Sequence, residues 1–208
     1  MRNPWEEISL SDYENHMKLD SVMQLPALSE MMRDQFCICP APRLMILGVA
    51  GGNGLEHIRK GQFKKVYGVD VNAAYLEAAA ARHPDLAGVL ECLRADLTAA
   101  PCRLPEADLV IADLLIEYIG CACFQTAVRQ IGPEAVSCVI QINTEGGWVS
   151  DSPYLHAFDG LERVHRPVDA GTLERSMLAI GYCKGRTLER ELPNGKRLLR
   201  MDFERARG

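Results

Sequence analysis

No apolar run in the 208-residue sequence approaches the roughly 20 residues that cross a bilayer, so no membrane span is expected. The opening Met1-Arg-Asn-Pro-Trp-Glu-Glu7 lacks the basic start and apolar stretch of a secretory leader, and a cytoplasmic chain is expected. Basic residues are outnumbered, 23 against 28 acidic, for a net charge of −5. Gripping a phosphate backbone needs a basic surface, which argues against a nucleic-acid partner. Arg186, Arg190, Lys196 and Arg197 form a local basic group and read as a solvated strand face. Eight cysteines are present, but none in a Cys-x-x-Cys. Zinc sites use tighter pairs with histidine partners, so no metal is expected. Cys92 and Cys138 lie inside apolar runs, where a thiol acts as a small hydrophobe. Free, mostly buried thiols in a reducing compartment follow. A thiol or soft-metal substrate meeting Cys37, Cys39 or Cys121 is the lesser alternative.

What is present centres on Leu44-Met-Ile-Leu-Gly48-Val-Ala-Gly51-Gly52-Asn-Gly54-Leu-Glu-His-Ile58, followed by Val66-Tyr-Gly-Val-Asp70. An apolar run breaks into glycines, a helical pattern follows, and a second apolar run ends on an acid. That order is the first half of a nucleotide-binding βαβ unit. Glycines let backbone approach a ligand closely. A helix beginning near Asn53 would aim its free N–H groups at the same place. Asp70, at a strand tip, can accept from two ribose hydroxyls. The dinucleotide fingerprint Gly-x-Gly-x-x-Gly/Ala fits neither register: from Gly52 its last position is His57, and from Gly48 its second is Ala50.

The chain resembles class I S-adenosylmethionine (SAM)-dependent methyltransferases of the small-molecule type. Gly48-Val-Ala50-Gly-Gly52 is similar to the family's first motif, with alanine replacing the middle glycine. Val69-Asp70-Val71-Asn is similar to the second, Glu91-Cys-Leu-Arg-Ala-Asp96-Leu97 to the third strand and its acidic end, and Asp108-Leu-Val-Ile-Ala-Asp113-Leu-Leu-Ile-Glu117-Tyr118 to the fourth strand and the helix after it. The resemblance covers about residues 40–145 in order. It implies cofactor contacts from Gly48, Val49, Ala50, Gly52, Asp70, Val71, Asp96, Leu97 and Asp113, with Asp70 on the ribose and Asp96 on the adenine amine. It also places Glu117 and Tyr118 near the transferred methyl. One position departs: the family usually carries an acid two residues before the first glycine, near the cofactor's ammonium, and this chain has Ile46. The fourth segment lacks the Asn/Asp-Pro-Pro-Tyr/Phe of amino methyltransferases acting on DNA bases or glutamine, and no carboxylate set of the metal-dependent catechol type is seen.

The rest of the chain fits one domain. Residues 1–40 read as a helical cap or lid and 41–208 as the SAM-binding domain. Residues 1–16 read as polar and irregular. Val22, Leu25, Leu28, Met31 and Met32 recur at helical spacing, with Pro26 predicting a break or kink. Strands are expected at 43–48, 65–70, 89–93, 107–112 and 136–142, and helices at 53–60, 72–82, 113–119 and 121–131. This alternation predicts an α/β fold with a parallel sheet covered on both faces. Asn194-Gly195 between Thr187–Leu192 and Lys196–Phe203 predicts a terminal hairpin. The resemblance implies the whole: a seven-stranded Rossmann-like sheet, mostly parallel, with an antiparallel C-terminal hairpin.

Methyl transfer from a sulfonium needs positioning more than a catalytic dyad. Candidate acceptor-side groups follow the fourth strand (Asp113, Glu117, Tyr118), follow the fifth (Gln141, Asn143, Thr144), and lie in the aromatic-rich loop 145–160. His156 in that loop is a candidate base, with Tyr118 and Glu117 as further catalytic candidates. Trp148 and Tyr154 are candidate substrate contacts, as are Tyr13 and His16 from the cap; packing is the alternative for each. A small-molecule substrate is expected. A SAM-binding regulatory or scaffold protein without turnover and an NAD-dependent oxidoreductase are the alternatives.

Overall fold

The central strands are apolar on both sides because both sides are covered. In the computed structural model, which describes residues 3–99, 102–143 and 147–206, β1 (Arg43–Leu47) pairs in parallel with β2 (Lys65–Asp70) and with β4 (Leu109–Asp113). Leu44, Ile46, Leu109 and Ile111 face one side and pack with Met32 of α2 (Gln24–Gln35), with Phe36 just past its end and with Leu76 of α3 (Ala73–Arg82). Met45, Leu47, Val110 and Ala112 face the other, under α4 (Ile116–Ile131) and α5 (Ala170–Leu178). This is the burial pattern of a parallel sheet between helical layers.

β3 (Leu90–Arg94) and β5 (Ala135–Ile142) extend the parallel pairing outward. β6 (Tyr182–Glu191) and β7 (Arg197–Arg205) form an antiparallel hairpin, and β7 inserts against β5. The order is β3-β2-β1-β4-β5-β7-β6, the seven-stranded sheet expected. The chain moves outward from β1 in one direction, then resumes at β4 in the other. Beyond the carboxyl ends of β1 and β4 lies the switch point, where open α/β sheets bind ligands.

Three expectations need correction. Residues 53–60 are not a helix: only a single 3-10 turn forms at Leu55–His57, and Ile58 is extended at φ −70°, ψ 118°. Gly54, at φ +91°, packs against Met32, so α2 lies where a longer helix would need room. Residues 1–16 are not irregular throughout. α1 (Leu10–Lys18) forms there, capped by Ser9, whose Oγ accepts from the Asp12 N–H at 3.1 Å. Pro26 does not break a helix. It sits in the first turn of α2, where a missing N–H costs no intrahelical bond. The segments 113–119 and 121–131 are two helical pieces, as expected: α4 is divided at Gly120, whose backbone is not helical (φ 75°, ψ 157°), and its first piece begins at Ile116. The loop 145–160 contains the start of a 3-10 helix, Leu155–Arg163, and α5 forms at Ala170–Leu178.

Two surface expectations also fail. Lys196 is not on a solvated face but 3% exposed, its Nζ donating to the Trp148 carbonyl at 2.7 Å. Among the thiols only Cys138 is buried; Cys37 and Cys183 are exposed and the others partly covered. Among the described residues, no helix is long and apolar enough to cross a membrane.

Candidate active site

The first cleft is built by the chain leaving β1. Gly48, at φ +76°, turns over the tip of β2, and the Gly48 and Val49 N–H groups both donate to the Val69 carbonyl, at 2.8 and 3.1 Å. Ala50 holds a left-handed φ of 47°, an uncommon state for a residue with a Cβ. Its N–H donates to Asp70 Oδ2 at 3.0 Å, while Asp70 Oδ1 accepts from the Asn72 N–H at 2.9 Å. Burial raises the Asp70 carboxyl above its ordinary value, and these bonds oppose the rise. The outer side of the loop is clamped. The Arg82–Glu14 ion pair lies over Gly51, Arg82 Nη1 donates to the Gly51 carbonyl at 3.1 Å, and His83 meets the Gly52 carbonyl at 3.0 Å.

Asp96, just past β3, forms the far wall. Burial works to raise its carboxyl, but bonds from the Thr98 hydroxyl (2.6 Å), the Thr98 N–H (2.9 Å) and Asn3 Nδ2 (3.1 Å) hold it below its usual range. Between Asp70 and Asp96 the cleft is lined by Val71, Ala95, Leu97, Leu115 and Ile119. Two acids flanking flat apolar walls suit a nucleoside: hydroxyls on one, an amine on the other.

Asp113 closes β4 beside Gly48. Its Oδ1 accepts from Gln35 Nε2 at 2.8 Å, while its Oδ2 is buried without a partner among the described residues. Burial pushes this carboxyl up to about 7. Gln35 also donates to Ser137 Oγ at 2.9 Å, and Ser137 donates to Asp202, itself held by a bidentate Arg200. A polar chain therefore runs from β7 through α2 to the cleft. Ile46, where the resembled family has an acid, is 3% exposed and part of the core. Asp113, on the neighbouring strand, is the acid next to that gap.

A second cavity adjoins the first, and Trp5, Tyr13, Leu114 and Tyr118 line both. Its far wall is Trp148 stacked on His165, ring centroids 4.1 Å apart, with Phe158 beside His16 at 4.8 Å. Glu117 lines it too. Only 4% exposed, it accepts the Gln141 N–H on Oε1 at 2.7 Å and leaves Oε2 unpartnered among the described residues. Burial raises Glu117 to about 7. His16, bonded to Ser152 Oγ at 2.8 Å, and His165 are both lowered, first by burial and then by nearby cations, and so stay neutral.

The expected residues separate accordingly. Gly48, Ala50, Asp70, Val71, Asp96, Leu97 and Asp113 line the first cleft, and Tyr13 and Tyr118 line both cavities. His16, Glu117 and Trp148 line the second. Val49 and Gly52 line neither: Val49 is core beneath the loop, and Gly52 faces His83. His156 is turned to solvent, its side chain 92% exposed beside Asp159, because the 3-10 helix presents Phe158 and Leu161 inward instead. Tyr154 packs near Phe158 outside both cavities, and Asn143 is an exposed acceptor for Gln141. Thr144 lies outside the described residues. Asn3, Trp5, Gln35 and His165 were not anticipated. The Ser9-x-x-Asp12 pattern that caps α1 was a readable sign that the N-terminal segment is ordered.

Residues 46–135 match the model of a methyltransferase domain. Compared with curated protein sequences, the chain matches none. Among solved structures, it resembles an S-adenosylmethionine-dependent methyltransferase from Mesorhizobium loti at TM-score 0.63 and 19% identity, over 87% of this chain and 100% of that one. It also resembles the geranyl diphosphate C-methyltransferase of Streptomyces coelicolor A3(2) at TM-score 0.65 and 10% identity, over 87% and 80%. The cyclase SpnF is similar at TM-score 0.65 and 11% identity, over 88% and 82%. At these identities the likeness is one of fold: the Rossmann-like sheet of class I methyltransferases.

Proposed function

We propose that this chain, with its methyltransferase domain of class I fold, transfers a methyl group from S-adenosylmethionine to a small molecule. The observation that carries this is the meeting of two cavities at one wall. A cleft flanked by Asp70 and Asp96 ends at Trp5, Tyr13, Leu114 and Tyr118, and a second, aromatic cavity begins there. The first cleft fits the cofactor by its donors. Asp70 accepts the ribose hydroxyls, Asp96 the adenine amine, and the buried Oδ2 of Asp113, unpartnered among the described residues, suits the ammonium of the methionine end. S-adenosylmethionine supplies a methyl already activated on a sulfonium, so the chain's part is to hold the acceptor in line and exclude water.

The N-terminal residues act as a cap over both sites. Asn3 bonds Asp96, Trp5 stands in the shared wall, and Glu14 clamps the glycine loop through Arg82. A reducing, cytoplasmic setting suits eight free thiols. Calorimetric titration with S-adenosylmethionine and S-adenosylhomocysteine tests the reading. Saturable binding of both, weakened together by Asp70→Asn, is the expected result; no binding of either would remove it.

A further inference from the structure

The chemistry of the second cavity selects an acceptor. Its walls are aromatic faces: Trp5 meets Tyr118 edge-on at 4.8 Å, Tyr118 meets Trp148 at 6.2 Å, and Phe158 and Tyr13 complete the ring. The one carboxylate among the described lining residues, Glu117, is almost fully buried and half satisfied, with Oε1 held by the Gln141 N–H and Oε2 without a partner among the described residues. Aromatic rings attract cations through their electron-rich faces, and a buried carboxylate oxygen requires a donor. A neutral alcohol would satisfy the oxygen but gain nothing from the rings. An anion would be repelled by Glu117.

Lys196 and Arg166 are nearby cations, and neither is bonded to Oε2: the Lys196 Nζ donates to the Trp148 carbonyl at 2.7 Å, and the Arg166 guanidinium to the carbonyls of His165 at 2.7 Å and Arg163 at 3.2 Å. Burial lowers the Lys196 ammonium to about 8, and the imidazoles of His16 and His165 are held neutral, which weakens competition from the protein's own cations.

We propose that the acceptor is a small amine that enters protonated, with its nitrogen against Glu117 Oε2 inside the aromatic ring. This rests on the first cleft being the cofactor site. The Glu117 carboxylate takes one proton from the ammonium and becomes the neutral acid, leaving a nitrogen lone pair. That pair forms the N–C bond to the methyl, the C–S bond breaks, and its electrons stay on sulfur as a neutral thioether. The product leaves as an N-methylated ammonium cation. Charge balances, since one sulfonium charge becomes one ammonium charge.

Both tryptophans of the chain, Trp5 and Trp148, line this cavity, so intrinsic fluorescence reads its occupancy directly. The full chain, saturated with S-adenosylhomocysteine to fill the first cleft, is titrated with piperidine and benzylamine. Cyclohexanol and benzyl alcohol serve as uncharged counterparts and benzoate as the anion. The expected result is saturable change in tryptophan emission with each amine binding about tenfold or more tighter than its alcohol, and no binding of benzoate. Glu117→Gln is expected to erase the amine preference while S-adenosylhomocysteine affinity stays unchanged. Alcohols or benzoate binding as tightly as the amines, or an unchanged preference in the variant, would overturn the proposal. The wild-type comparison stands alone if the variant does not fold. Failure to bind S-adenosylhomocysteine, by contrast, strikes the cofactor reading; the amine series is then run without it and judged by the same preference.

Discussion

Gln35 Nε2 stands 2.8 Å from Asp113 Oδ1, so a side chain from the last turn of an N-terminal helix holds the acid at the mouth of the central cleft. The same amide reaches Ser137 at 2.9 Å and so joins Asp113 to the buried Arg200–Asp202 pair. Asp113 on β4 is in this way positioned by α2, with Oδ2 unpartnered among the described residues, and in the proposed reading it takes the place of the acid absent at Ile46. Asp113→Asn is expected to weaken S-adenosylmethionine by at least about tenfold, ~1.4 kcal/mol. Affinity for 5′-methylthioadenosine, which has no amino-acid end, should stay the same. Calorimetry on both ligands checks it; equal losses for the two would show that Asp113 does not meet the ammonium.

Asp113 and Glu117 both titrate at about 7 in the folded chain, above their ordinary values of 3.8 and 4.5. Burial is the main cause for each. For Asp113 the Gln35 bond and Arg200 oppose the rise, while Asp202 adds to it. The folded state therefore binds more protons than the unfolded state between about pH 4 and 7, and stability falls as pH rises through that window. His16 and His165 are shifted down and work the other way on acidification, so the comparison must be with a variant. Between pH 6 and 8 the melting temperature of the ligand-free wild type should fall more steeply than that of the Asp113→Asn, Glu117→Gln double variant. Parallel slopes would show that these carboxyls are not raised. S-adenosylmethionine affinity should move oppositely, rising with pH as Asp113 ionises.

The parts of this arrangement legible in the sequence are those written in contiguous pattern. Leu44–Leu47 and Leu109–Ala112 read as strands because every residue faces a helical layer, and Asp70, Asp96 and Asp113 read as site residues because each ends or follows such a run. Residues 53–60 misled because Leu55 and Ile58 are apolar at helical spacing, yet both are buried by a single 3-10 turn with α2 above it. α1 was hidden by its polarity: Glu14 and His16 are buried there through an ion pair and a hydroxyl bond, which no hydrophobic period records. The second cavity is assembled from Trp5, Glu117, Trp148 and His165, which share no motif, so only the folded chain brings them together. His156 reads as a candidate base from its residue type and its place in an aromatic-rich loop, neither of which records that the 3-10 helix sends it outward.

The correction at Gly54 has a measurable consequence. A Cβ there would lie 2.5 Å from Met32 Sδ and 3.0 Å from Met32 Cβ, and the backbone is at φ +91°. The sulfur can swing aside, but the Met32 Cβ is fixed to α2. Gly54→Ala should therefore cost about 2 kcal/mol, combining overpacking with left-handed strain. In a chain of this length that is a fall of roughly 4–8 °C in melting temperature. Met32→Ala in the same chain should recover little, because the Cβ contact and the backbone strain remain. Full recovery would place the whole cost in the flexible thioether.

Asn72 joins the N-terminal segment to the start of α3 through three side-chain bonds, and its replacement should release both. Its Oδ1 caps α3 by accepting the Ala74 N–H at 3.0 Å, and its Nδ2 donates to the carbonyls of Trp5 at 2.9 Å and Ile8 at 3.4 Å. Its own N–H meanwhile binds Asp70 Oδ1, a bond that any side chain at this position can keep. Asn72→Ala thus leaves the acid in place while removing a helix cap, worth about 1 kcal/mol, and the tether on Trp5. The expected result is faster amide hydrogen exchange across residues 3–9, where the capping segment approaches Asp96. Cofactor affinity should fall with it, because Asn3 and Trp5 no longer close the cleft. Asn72→Asp separates the two roles: it preserves the Oδ1 cap but cannot donate to Trp5 or Ile8. Its exchange should be at least as fast as that of the alanine variant, and its melting temperature should also fall, because a buried carboxylate oxygen then faces the Trp5 and Ile8 carbonyls with no donor between them. If exchange in both variants remains at the wild-type rate, the cap is held by its aromatic packing alone.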